Sequence, residues 1–96
     1  MIVQRITAQC KPGMVNEAIA LMKEGLEYSG FPHAVRMYTP QLVPNDTTIN
    51  EYEFENIAEM EQFWAAWEAR PETAIFLEKY RLLIEPGMVS EIFDLH

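Results

Sequence analysis

His33-Ala-Val-Arg-Met-Tyr-Thr39, Pro40, Gln41-Leu-Val-Pro-Asn-Asp46 and Thr47-Thr-Ile-Asn-Glu-Tyr-Glu-Phe-Glu-Asn56 run on from one another in the middle of the chain. In the first segment Val35 and Met37 alternate with Ala34, Arg36 and Tyr38. In the last, Tyr52 and Phe54 alternate with Ile49, Glu51, Glu53 and Glu55. A period of two is the signature of a strand with one buried face, and Pro40 and the polar loop between the segments supply the reversal. The stretch therefore reads as an antiparallel hairpin. Folded symmetrically about Val43 and Pro44, it sets Arg36 opposite Glu51 and diagonal to Glu53, a cross-strand charge pairing that supports this register. His33 then shares a face with Val35, Met37, Tyr52 and Phe54.

On each side of the hairpin the period changes to that of a helix. Upstream, Val15, Ile19, Met22 and Leu26 recur at the spacing of one helical stripe, bounded by Lys11-Pro12-Gly13 and by Ser29-Gly30, where glycine suits the left-handed residue that follows a helix. Downstream, Asn56 suits an N-cap with Glu59 as the returning side chain of a capping box, and Ile57, Met60, Trp64 and Trp67, broadened by Phe63, form the apolar stripe. Pro71 predicts a kink or a split, with a second helical piece running through Ile75, Leu77 and Leu83. Outside both helices the period returns to two. Ile2, Ile6, Ala8 and Cys10 alternate with Val3, Arg5, Thr7 and Gln9 at one end, and Val89, Phe93 and Leu95 with Ser90 and Asp94 at the other.

Strand, helix, strand, strand, helix, strand is the split βαβ order. It predicts an α+β, ferredoxin-like βαββαβ fold, with a four-stranded antiparallel sheet and the helices on one face. The other sheet face carries Ile49, Tyr38, Ala34 and apolar residues of the terminal strands, which the helices do not all cover. A second copy packed sheet to sheet across a two-fold axis is the simplest cover, so a homodimer is expected.

The chain's 96 residues, 49% of them hydrophobic and 23% charged, suit a single folded domain over 1–96 and no disordered or repetitive class. Seven Lys and Arg against fifteen Asp and Glu leave a formal charge of −8, which disfavours nucleic acid and the anionic membrane surface as partners. The apolar runs Ala18–Met22 and Phe63–Trp67 fall far short of the roughly 20 residues that cross a bilayer. Cys10 is the only cysteine, and no basic stretch followed by an apolar run opens the chain, so a reducing cytoplasm is expected.

The run Gln9-Cys10-Lys11-Pro12-Gly13-Met14 leads into an acidic amphipathic helix, Glu53-Phe54-Glu55-Asn56 leads to Phe63-Trp64-Ala65-Ala66-Trp67, and Pro86-Gly87 precedes Ser90-Glu91-Ile92-Phe93. Over nearly the whole chain this pattern resembles the NIPSNAP-type branch of the dimeric α/β-barrel superfamily. The resemblance implies a ferredoxin-like protomer that dimerises into a barrel, in a family whose bacterial members largely lack an assigned activity. Related branches include small monooxygenases and haem-degrading enzymes, but shared fold is only analogy for function.

Among candidate site residues His33 stands first, as a proton acceptor or ligand contact beside Tyr52, Phe54 and Trp64. A hydrogen-bonded strand-end histidine is the plainer reading, because no second acid, base or nucleophile keeps a fixed spacing from it. Trp64 and Trp67 can wall a flat ligand, although aromatics at this spacing are also ordinary helix core. Arg36 can hold an anionic group if it reaches the cavity, yet the hairpin register turns it away from His33. Glu51, Glu53 and Glu55 lie about 6.5–7 Å apart along a strand, wide for one cation. With two histidines and one cysteine no zinc, haem or iron–sulfur spacing exists, so no metal is expected. Gly13, Gly25, Gly30 and Gly87 form no phosphate loop, and no cofactor is expected. Cys10 beside Lys11 reads as a small buried residue rather than a nucleophile, and His96 as a terminal residue without a role.

The expectation for function is a small-molecule binding module that takes an apolar or aromatic ligand in a protomer cavity lined by Tyr52, Phe54, Trp64 and Trp67. The alternative is a cofactor-independent monooxygenase or isomerase acting on a small aromatic substrate with His33 as base.

Overall fold

Alternation at the two ends and in the middle of the chain builds one sheet. In the computed structural model, which describes residues 1–41 and 46–96, strand β1 spans Ile2–Gln9. Helix α1 (Val15–Ser29) follows the turn at Gly13 and stops where Gly30 adopts φ 66°, the left-handed cap expected of it. Strands β2 (Val35–Tyr38) and β3 (Thr47–Phe54) form the central hairpin, helices α2 (Ile57–Glu68) and α3 (Pro71–Arg81) come next, and β4 (Val89–Asp94) closes the order. The sheet runs β2-β3-β1-β4, antiparallel throughout. This is the α+β, ferredoxin-like architecture. The turn about Val43 and Pro44 lies outside the described residues, but the register it implies holds: Arg36 pairs with Glu51 and Val35 with Tyr52.

Three local expectations change, and a fourth resolves between its two alternatives. Strand β2 begins at Val35 rather than His33, because the His33 ring is held by Glu59. Strand β3 ends at Phe54, since Glu55 and Asn56 turn into α2 and the Asn56 side chain accepts the Glu59 N–H at 2.9 Å. The Glu59 carboxylate returns one residue further back than a capping box requires, to the Glu55 N–H. Of the kink or split expected at Pro71 the chain takes the split, because Arg70 has the extended geometry (φ −78°, ψ 138°) favoured before proline and Pro71 starts α3 afresh.

That restart resets the helical phase. Thr73 and Tyr80 of α3 are buried while Ile75 is 57% exposed, and at the head of α2 Ile57 is 50% exposed. Thr73 Oγ1 donates to the Trp67 carbonyl at 2.5 Å, tying the two helices end to end. Leu83 lies beyond α3, where its carbonyl accepts the Lys11 N–H beside the Cys10–Ile84 bridge.

All three helices pack against the sheet face that carries Ile2, Cys10, Tyr52 and Phe54. One core cluster joins Ile2, Tyr52 and Phe54 to Met60 of α2. The other joins Cys10 to Ala18 and Met22 of α1 and Tyr80 of α3. Phe31 sits edge-on to Tyr52, Phe54 and Phe63 with centroids 4.9–5.6 Å apart, the arrangement that ring quadrupoles favour.

The opposite sheet face is mixed. Arg5 and Arg36 both reach Glu51, Arg36 also meets Glu53 at 2.5 Å, and the Arg5 guanidinium lies 4.9 Å over the Phe93 ring. Burial pushes Glu51 up, but hydrogen bonds from Arg5, Tyr38 and Arg36 outweigh it and hold the carboxyl below its usual range. Tyr38, Val89 and Phe93 remain exposed here. Among the described residues no helix is long and apolar enough to cross a membrane.

Candidate binding cavity

Residues that face each other across strands share a sheet face, so the pairings Gln4–Tyr52, Ile6–Asn50 and Ile6–Ser90 bring three strands' side chains to the helix-bearing side. Above them the helices do not close completely. A cavity of about 390 Å³ opens there, floored by Gln4, Ile6, Asn50, Tyr52 and Ser90 and roofed by Met22, Trp64, Trp67, Phe76, Leu77 and Tyr80, with Met88 at its side. Its size and apolar character are those of a small-molecule pocket.

The roof is a relay of rings. Tyr52 meets Trp64 at 5.3 Å and 82°, Trp64 meets Trp67 at 5.5 Å and 85°, Trp67 meets Phe76 at 5.7 Å, and Phe76 stacks on Tyr80 at 5.3 Å and 20°. The floor carries the polar groups. Gln4 Oε1 accepts the Trp64 indole N–H at 2.6 Å, and Gln4 Nε2 donates to Ser90 Oγ at 3.0 Å. Asn50 Nδ2 donates to Met22 Sδ at 2.8 Å and lies 3.4 Å from the Tyr52 hydroxyl. Asn50 Oδ1 is buried without a partner among the described residues. Among the described residues no charged side chain lines the cavity. Burial pushes the Tyr80 phenol up to about 12 and raises Tyr52 as well, so both stay protonated at neutral pH.

Of the residues singled out in the sequence, Tyr52, Trp64 and Trp67 line this cavity. Phe54 is fully buried in the adjoining core, where it packs on Phe31, Phe63 and Trp64. His33 stands outside the lining, with its Nε2 2.9 Å from Glu59 Oε1 and its ring edge-on to Phe31. The Glu55 N–H and His33 hold the Glu59 carboxyl below its usual range. Arg36 is on the opposite face of the sheet, where Glu53 and Glu51 keep it charged.

His33, Glu55 and Glu59 place one nitrogen or oxygen each within 4.8 Å of one another, close enough to meet a single cation. Glu59, however, already serves the His33 ring and a backbone N–H. Cys10 is buried, and burial pushes its thiol up, away from nucleophilic character.

Gln4, Asn50 and Ser90 are the polar residues that sequence reasoning passed over. Their signal is a polar side chain on an otherwise apolar row: Gln4 within Ile2, Ile6 and Ala8, and Asn50 beside Tyr52 and Phe54. A buried amide on such a row needs a partner, and that need marks it out.

No protein-family model matches the chain, and no curated protein matches it. Solved structures do. An uncharacterised NIPSNAP domain protein from Burkholderia xenovorans shares 16% identity over 100% of this chain and 95% of that one, with a TM-score of 0.87. A NIPSNAP family protein of unknown function from Agrobacterium tumefaciens shares 20% over 97% and 86%, with a TM-score of 0.84. A putative antibiotic biosynthesis monooxygenase from Nitrosomonas europaea shares 11% over 98% and 97%, at 0.75. The chain thus has the fold of the solved NIPSNAP proteins, the family that its sequence resembles.

Proposed function

We propose that this chain is a NIPSNAP-like protein that binds a small apolar or aromatic molecule in the cavity between sheet and helices, and that it works as a homodimer. The cavity carries the reading: about 390 Å³ lined by aromatic and aliphatic side chains with no charge among them. Flat rings of a ligand would stack on or meet edge-on the walls made by Trp64, Trp67 and Tyr52. The dimer is supported by the opposite sheet face, where Tyr38, Val89 and Phe93 stay exposed on a face without helices. A reducing cytoplasm suits the single buried Cys10.

Native mass spectrometry of freshly purified protein tests both halves. A dimer carrying a defined extra mass supports binding and association together. A bare monomer at micromolar concentration overturns the dimer, and a cavity that takes up no aromatic probe in titration overturns the binding reading.

A second reading is a cofactor-independent oxygenase or isomerase. It is favoured by the fold shared with proteins named antibiotic biosynthesis monooxygenases, though likeness of fold is analogy. It stands second because His33 lies outside the cavity lining and the two lining phenols are pushed away from neutral titration. Oxygen uptake on adding an aromatic substrate to the purified protein, lost on replacing a lining residue, would promote it.

A further inference from the structure

The side of α1 and α3 that faces away from the sheet carries apolar residues where a helix pair in water is ordinarily polar. Ala18 and Met22 of α1 and Tyr80 of α3 are turned into the core. On the outward side, however, Ile75 and, just beyond α3, Leu82 are exposed, at 57% and 69%. Two hollows of about 210 Å³ and about 430 Å³ lie between the helices there, and they form one groove because Leu21, Glu24 and Lys79 line both. Tyr28, Ile75 and Phe76 line its first half, Leu82 and Leu83 its second. Gly25 makes room for the Phe76 ring in the groove, since a Cβ at Gly25 would stand only 3.4 Å from it. The stretch of α1 from Glu17 to Tyr28 that borders the groove is roughly 16 Å long, about three helical turns.

We infer that this groove docks a basic amphipathic helix of another protein, with its apolar stripe seated between α1 and α3 and its lysines or arginines over the groove's acidic rim. A groove between two antiparallel helices is the shape that a third helix fills, reading its partner through apolar anchors one or two turns apart.

Charge selects the partner. Glu17, Glu24 and Glu72 line the groove against one cation, Lys79. The ion pairs among the described residues lie elsewhere, on Arg5, Arg36 and His33, so none of these three carboxylates is held in one. A second copy would bring the same acidic rim, and a formal charge of −8, against itself, and an anionic membrane surface is repelled for the same reason. A basic helix complements the rim and covers Ile75 and Leu82 together. The groove is across the helices from the sheet face proposed for the homodimer, so both surfaces can be occupied at once, and the cavity reading is not needed for either.

The test mixes the purified protein, at physiological salt, with a synthetic amphipathic helix carrying leucine on one stripe and lysine elsewhere, or with its counterpart carrying glutamate in place of lysine. Methyl NMR signals of Ile75 and Leu82 report on the groove, and those of Val89 on the opposite sheet face. The lysine peptide is expected to shift Ile75 and Leu82 and leave Val89 in place, with the glutamate peptide about tenfold weaker or more. Glu17→Lys with Glu24→Lys is expected to weaken the lysine peptide about tenfold. Glu61→Lys with Glu68→Lys, the same change of net charge on exposed residues of α2, is expected to weaken it less than about twofold, because screening limits distant charges. Ile75→Ser with Leu82→Ser should also weaken it about tenfold. Equal losses in the two charge-swapped proteins overturn the inference, because attraction to net charge alone then accounts for binding. Shifts at Val89 in place of Ile75, or no binding of the lysine peptide, overturn it as well. Ile75 and Leu82 signals that move with protein concentration before any peptide is added make a second copy the occupant and overturn the basic partner. The peptide comparison on the unaltered protein decides the case whether or not the variants fold.

Discussion

The Trp64 indole N–H donates to Gln4 Oε1 at 2.6 Å, joining residues 60 positions apart at the wall of the cavity. Gln4 is buried and Trp64 half-buried, so removing one partner leaves the other's polar group poorly satisfied. Gln4→Leu is expected to lower unfolding stability by about 1–3 kcal/mol, read as a lower urea midpoint with an unchanged slope. Trp64→Phe should cost a comparable hydrogen bond, and the double variant should lose less than the sum of the two.

Asn56 is the cap of α2, accepting the Glu59 N–H. Asn56→Ala is expected to cost about 0.5–2 kcal/mol, while Asn56→Asp, which keeps the acceptor and adds a charge favourable at a helix N-terminus, should cost little. Amide hydrogen exchange in the first turn of α2 locates the effect: faster there, unchanged in β1 and β3. Unaltered exchange at Glu59 in Asn56→Ala would rule the cap out.

Alkaline pH should unfold the protein by way of Tyr80. Its phenol is pushed up to about 12 by burial in the folded state, whereas an unfolded tyrosine ionises near 10. A raised folded pKa means that stability is intact below about pH 10 and declines as pH rises toward 12, because the unfolded chain gives up the proton first. Phenolate absorbance should therefore show Tyr80 ionising together with loss of tertiary structure. Tyr80→Phe should flatten that alkaline decline.

Acid works in the other direction. The Glu55 N–H and His33 hold the Glu59 carboxyl below its ordinary range, so its contribution is present at neutral pH and is lost as pH falls through that depressed pKa. Glu59→Gln is expected to shallow the acid limb of the stability profile while leaving the alkaline limb unchanged. An acid limb identical to that of the unaltered protein would show that Glu59 carries no net coupling.

Phe93 is 40% exposed on the face away from the helices, beneath the Arg5 guanidinium. If that face meets a second copy, Phe93→Glu buries a charge in the interface and should convert the dimer to monomer in light scattering, with the far-ultraviolet dichroism preserved. An unchanged dimer would move the interface elsewhere.

Local chemistry makes much of the fold legible in the sequence. The alternation of Tyr52 and Phe54 with Glu51 and Glu53, the turn residues and the opposed charges of Arg36 and Glu51 suffice for the hairpin register, because pleating and cross-strand pairing act over neighbouring residues. Gly30 and Asn56 mark helix ends through their own backbone and side-chain preferences. Local periodicity was misleading where a distant partner intervened. His33 leaves the strand for Glu59, 26 residues away, and Ile75 faces outward because Pro71 restarts the helix in a new phase.

The candidate site divides along the same line. By itself the sequence determined the order of elements, the hairpin register and the aromatic supply of α2, because each follows from the backbone's short-range periodicity. Only the tertiary structure decided that Tyr52, Trp64 and Trp67 border a cavity while His33 and Arg36 do not. It also decided that Gln4 bridges Trp64 to Ser90, 86 residues from it, and that the Asn50 oxygen has no partner among the described residues. These outcomes depend on how helices seat on a sheet and where they leave space, which is a property of long-range packing rather than of any segment.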